Sequence, residues 1–114
     1  MWMIPVIIAA LFAFVFQYED AAQSVELWAK GYEEGNQLDG SIVCWLFQTK
    51  KPSFTQFMVY AAVEQIVLWS LTFLLAMGDT TIAASVGAAS MTVMGLRHLQ
   101  GWRHGKIIMK SLKK

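Results

Sequence analysis

Residues 54–77, FTQFMVYAAVEQIVLWSLTFLLAM, decide the fold. These 24 residues hold a single ionisable carboxylate, Glu64, and follow Lys50, Lys51 and Pro52. About 20 apolar residues in a helix cross a hydrocarbon layer of about 30 Å, so the stretch predicts a transmembrane helix with basic residues at its entry. Gly78-Asp79 then reads as a turn, and residues 80–96 give a shorter apolar run of small side chains. So short a link makes the two helices antiparallel neighbours. Upstream, a third span covers about 2–18, with Pro5 in its first turn, where the missing amide hydrogen does no harm. Its apolar run rises only about 24 Å. Residues 18–30 contain neither Pro nor Gly, and Glu26 lies four before Lys30, so the helix is expected to extend to residue 30 and stop at Gly31.

Between the first and second spans, residues 41–48, SIVCWLFQ, form a short apolar stretch, expected as an interfacial or re-entrant helix. Residues 97–114 form a basic tail. The expected fold class is an all-α integral membrane protein, one domain over residues 1–114, with three transmembrane helices and one short helix between the first two.

Composition points the same way. Of 114 residues, 56% are hydrophobic and 15% charged, with mean hydropathy +0.45. Five Trp, seven Phe and seven Met exceed what a core this small can hide. A net charge of +1 excludes a strongly basic nucleic-acid binder, and the single Cys44 excludes an internal disulfide or a CxxC site. The first apolar run has no Lys or Arg before it and no cleavage site after it, so it is expected to be retained. Lys30, Lys50 and Lys51 lie between the first two spans, and the other six of the nine Lys and Arg follow the third. An outside amino terminus puts all nine on the cytoplasmic side, predicting a multi-pass inner (plasma) membrane protein with a cytoplasmic carboxyl terminus.

Glu64 is the first candidate for chemistry. Ten residues into its helix, it is expected about 15 Å deep, near the bilayer middle, where an ionisable group calls for a partner. Gln56, Tyr60 and Glu64 follow at i, i+4 and i+8, and Gln65 broadens the stripe. Two readings stand: a proton or ion relay, or a protonated carboxyl joined to Ser85, Ser90 or Thr92 as interhelical glue. On the third helix, Ala83 and Gly87, and Ala84 and Ala88, are spaced four apart for close backbone approach.

The inner end of the first helix is acidic, with Glu19, Asp20 and Glu26 followed by Glu33, Glu34 and Asp39. Asp20 and Ser24 share a helical face, and Gly31-Tyr-Glu-Glu-Gly-Asn36 supplies a turn. The spacing Asp20, Ser24, Gly31, Glu34, Asn36 resembles the signature of an uncharacterised family of small bacterial and archaeal membrane proteins. There an Asp and a Thr on one helix precede a G-x-x-E-x-N-P turn, an apolar half-helix and further spans. The match covers residues 20–54, with Ser24 for the Thr and Gln37 for the Pro. The resemblance implies a multi-span fold and a polar pocket of Asp20, Ser24, Glu34 and Asn36 at the inner membrane face.

His98 and His104 are six apart and each follows an arginine, so they do not form an i, i+4 metal pair and read as solvated or hydrogen-bonded. No nucleotide loop, zinc motif or Ser-His-Asp set is present, so neither an enzyme, a cofactor nor a metal is expected. Arg97, Arg103, Lys106 and Lys110 suit docking to anionic lipid or an acidic partner. The sequence favours an accessory or assembly subunit of a larger membrane complex, partnered by the bilayer and by other subunits or copies of itself. A holin-like pore former and a small transporter or proton-conducting subunit using Glu64 are the alternatives.

Overall fold

The computed structural model describes residues 1–31, 38–49 and 51–112, with side chains for 1–31, 42–49 and 51–111. The expected Glu34 and Asn36 of the polar pocket lie outside the described residues. Those that are described form four helices and no strand: α1 (Ile4–Ala29), α2 (Leu38–Phe47), α3 (Phe54–Ala76) and α4 (Thr80–Leu112). Two of them, α1 and α3, are long and apolar enough to cross a membrane. The helix α4 continues without a break through residues 97–112, so the expected tail is nearly half of a helix, not a separate segment.

Local sequence explains the helix ends. Pro5 sits in the first turn of α1, and Gly31, at φ 87°, takes the left-handed conformation just beyond its last turn. Ser53 caps α3: its hydroxyl accepts from the Gln56 amide, and the Gln56 side chain accepts from the Ser53 amide. Asp79 Oδ1 accepts from the amides of Thr81 and Ile82, which starts α4 after a link of only three residues.

The bundle has three long members. Val6 lies against Gly87, Ala13 against Gly95 and Gln23 against Gly105, so α1 and α4 run parallel in constant register. By contrast α3 runs antiparallel to α1: Trp2 packs on Phe73, Gln65 bonds the Ala10 carbonyl, and Trp28 stacks on Phe57. The α1–α4 seam is made of small residues. A β-carbon on Gly95 would stand 2.6 Å from the Phe12 ring and 3.0 Å from the Ala13 Cα, so only glycine permits this approach. The buried face of α4 reads Ala83, Gly87, Met91, Met94, Gly95, His98, Gly101 and Gly105. Of the residues expected at this contact, Ala83 and Gly87 are buried, while Ala84 and Ala88 are half-buried. The short α2 packs only on α3 among the described elements, burying Val43 and exposing Trp45.

The outward faces are apolar. Ile4, Ile7, Ile8, Leu11, Phe14 and Val15 on α1, Val63, Ile66, Val67, Leu71 and Leu74 on α3, and Ile82, Val86, Val93 and Leu96 on α4 are all exposed. From Ile82 to Leu96 this belt is about 21 Å tall at 1.5 Å per residue. It ends where charge begins, at Glu19 on α1 and Arg97 on α4. Below it lies an aromatic collar: Tyr18 packs on Phe54, Phe16 on Trp102, and the Trp28 indole donates to the Pro52 carbonyl at 3.0 Å.

Candidate functional site

Just under the belt, one side chain from each long helix meets in the bundle interior. Asp20 comes from the polar end of the buried face of α1, Glu64 from the inner half of α3, and His98 from the buried face of α4. His98 is 6% exposed. Its Nδ1 lies 2.9 Å from Asp20 Oδ2 and its Nε2 3.0 Å from Glu64 Oε1. Both are direct hydrogen-bond lengths. The imidazole therefore bridges two carboxyl groups that belong to different helices.

A ladder of amides rises from this bridge toward the belt. Gln17, almost fully buried, donates from Nε2 to Glu64 Oε1 at 3.2 Å and to the Ala61 carbonyl at 3.3 Å, with Met94 Sδ at 3.6 Å. Gln65 in turn donates to Gln17 Oε1 and to the Ala10 carbonyl, each at 3.2 Å. No buried side-chain nitrogen or oxygen among the described residues lacks a partner. Above Gln65 the core is apolar but for one satisfied hydroxyl: Val6, Ala9, Ala10, Ala13 and Met91 cluster there, and the buried Thr72 donates to the Leu68 carbonyl at 2.7 Å. The polar column thus runs from Asp20 to Gln65 and ends beneath an apolar plug.

No family model, curated protein or solved structure matches this chain.

The two contacts set how many protons satisfy the cluster. Each of the two contacts is a hydrogen bond only if it holds one proton, so two protons serve Asp20, His98 and Glu64. Placed on the ring they give an imidazolium between two carboxylates; moved onto a carboxyl they give a neutral ring and one acid. Every arrangement carries a net charge of −1. Losing either proton sets a nitrogen lone pair against a carboxylate at about 3 Å, and the contact becomes repulsive. One such joint ties α4 to α1 and the other ties α4 to α3, so proton occupancy is coupled to how tightly the helices are held.

The structure brings together some of the expected residues and leaves others apart. Glu64, Gln65 and Asp20 join one network. Gln56 instead serves the α3 cap, and Tyr60 lines a groove that Glu64 also reaches. Ser24 is buried one turn below Asp20. The serine and threonine partners expected for Glu64 are replaced: Thr92 donates to the Ala88 carbonyl, while Gln17 and His98 take the carboxyl. Along α3 the exposed apolar side chains run from Val59 to Leu75, and Glu64 lies in the inner half of that stretch. The bundle holds it level with Asp20 and His98, among the first polar residues below the belt on α1 and α4. His98, read as solvated or hydrogen-bonded, is hydrogen-bonded at both ring nitrogens and forms the buried centre of the site. Arg97, Arg103, Lys106 and Lys110 are exposed along α4, with Lys106 Nζ 3.8 Å above the Trp102 ring.

At these lengths no cation fits between the ring and either carboxyl. Among the described residues, no group of three His, Cys, Asp or Glu is arranged to hold a metal ion.

Proposed function

We propose that the chain is a small inner-membrane protein crossing the bilayer three times, amino terminus outside and carboxyl terminus cytoplasmic. Its working part is a proton-exchanging centre on the cytoplasmic side, and it acts as a proton-relay subunit within a larger membrane complex. The observation that carries this reading is His98 held between Asp20 and Glu64. An imidazole bonded at both nitrogens can pass a proton from one carboxyl to the other, and buried acid–histidine chains are the groups from which proton relays in membranes are built.

Other features support the setting. The belt of exposed Ile, Leu, Val and Phe around a polar interior inverts the arrangement expected in water. All nine Lys and Arg belong on the cytoplasmic side in this topology. The low hydropathy of α4 as a whole comes from the Arg, His and Lys residues that follow position 96, while residues 80–96 are apolar or small and pack closely on α1. The plug above Gln65 favours a subunit over a complete pathway: one chain holds a relay that ends blind, and delivery to the far side needs a partner. The same plug weighs against the pore-forming alternative.

Three readouts test the proposal together. A protease site at the carboxyl terminus should be cut in inverted membrane vesicles and protected in intact sphaeroplasts. Infrared difference spectra of the protein in nanodiscs, recorded across pH, should show a reversible carboxyl signal that disappears in the Asp20→Asn, Glu64→Gln double variant. Proteoliposomes of the chain alone should leak protons no faster than empty ones. Rapid leakage, cleavage from outside, or an absent carboxyl signal in a folded protein would contradict the reading.

A further inference from the structure

A groove of about 360 Å³ opens sideways between α3 and α4, separate from the seam that α1 and α4 share. Val63, Val67 and Val93 wall it, Glu64 contributes to its side, and Tyr60 and Arg97 stand at its inner end. We propose that this groove holds one acyl chain of an anionic phospholipid of the cytoplasmic leaflet, with the lipid phosphate at Arg97 and the Tyr60 hydroxyl. The inference rests on the membrane placement proposed above.

Three observations commit the occupant. The groove reaches from the apolar belt at Val67, Leu68 and Val93 down to Arg97, the first charged residue beneath the belt on α4, so the slot joins the level of lipid tails to the level of headgroups. Charge is complementary: from Thr80 to Lys114 the chain carries six Lys or Arg and no acid, and basic residues at this level attract anionic headgroups. Size selects a lipid chain over a helix. From Tyr60 to Leu68 the groove rises about 12 Å, and that length of a helix about 10 Å across would need over twice the volume. The occupant's tail, not its phosphate, passes Glu64, and its headgroup charge comes to rest beside the proton centre.

The test is native mass spectrometry of the full chain, purified in mild detergent and exchanged with equal amounts of phosphatidylglycerol and phosphatidylcholine. Retained phosphatidylglycerol should exceed phosphatidylcholine by roughly fivefold. Arg97→Gln should abolish the preference, while Lys51→Gln, an exposed residue before α3, should leave it within twofold. Val93→Trp, which fills the groove, should reduce retention of both lipids without loss of helical content by circular dichroism. Inorganic phosphate in millimolar amounts should leave the adduct in place; if it removes the adduct, the site takes the anion alone and the proposal fails. Equal retention of the two lipids overturns it as well, as does a preference lost equally in Arg97→Gln and Lys110→Gln. Topology and proton exchange are scored by the separate experiment above, so equal retention in a protein that passes that experiment counts against the groove only.

Discussion

His98→Leu is expected to destabilise the bundle by about 3 kcal/mol, read from unfolding by a denaturing detergent in mixed micelles. Removing one partner of a buried ion pair costs about 3–5 kcal/mol because the charge left behind is no longer compensated. Here two carboxyl groups lose their common partner, and Glu64 keeps the Gln17 amide while Asp20 faces an apolar leucine. The lower end of that range applies because the Asp20 and Glu64 side chains are 20% and 15% exposed and keep some access to water. His98→Gln should recover part of the loss, since an amide can donate to one of the two carboxyls. The triple variant Asp20→Leu, Glu64→Leu, His98→Leu should return to within about 1–2 kcal/mol of the parent or exceed it, as replacing every member of a buried polar set by apolar groups is often neutral or stabilising. That variant would also lack the carboxyl signal, which separates holding the helices together from exchanging a proton.

The second large effect lies at the α1–α4 seam. Gly95→Ala would ordinarily return about 1 kcal/mol of helix propensity, yet a net loss is expected because overpacking costs about 1–3 kcal/mol. The Phe12 ring can turn aside, but the Ala13 Cα at 3.0 Å is backbone and moves only with the helix. Gly95→Val should cost more, and by prising α1 from α4 it should weaken the Asp20–His98 joint as well. Gly105→Ala is the matched control: the group it would meet is the end of the flexible Gln23 side chain, which can swing away, so stability should hold or rise slightly. The same unfolding measurement ranks the three variants. Equal costs at Gly95 and Gly105 would show that the close seam is not where the parallel pair is held.

Much of this architecture is visible in the sequence, and the reason differs from part to part. The long helices announce themselves through unbroken apolar runs and the lack of Pro or Gly between residues 6 and 30. Asp20, Glu64 and Gln65 are conspicuous because polar side chains at the end of or within such runs need partners. His98 is harder to see, because Arg97 in front of it suggests a wet surface. Neighbours along a helix point about 100° apart, however, so Arg97 faces outward while His98 continues the small-residue face of Ala83, Gly87, Met91 and Gly95. The signal was that face running past residue 96 to Gly101 and Gly105. Gln17 looks like the polar end of an apolar run, although it lies three residues before Asp20 and seven before Ser24 on the same side of α1. Which of these groups meet is not a local property. It follows from the register that Gly87 and Gly95 impose by letting α4 approach α1, and that register sets His98 level with Asp20.

The depth of Glu64 shows the same limit. Counting from Phe54 puts it mid-span, since α3 alone gives no sign that its first turns belong to the aromatic collar. Only the neighbours reveal it, through the charges that begin at Glu19 and Arg97.

The most direct test of the account is nitrogen-15 magnetic resonance of His98 with the protein in a lipid bilayer. Both ring nitrogens should appear hydrogen-bonded and slow to exchange with water, the Nδ1 signal shifting in Asp20→Asn and the Nε2 signal in Glu64→Gln. A neutral, freely exchanging ring indifferent to both substitutions would contradict it.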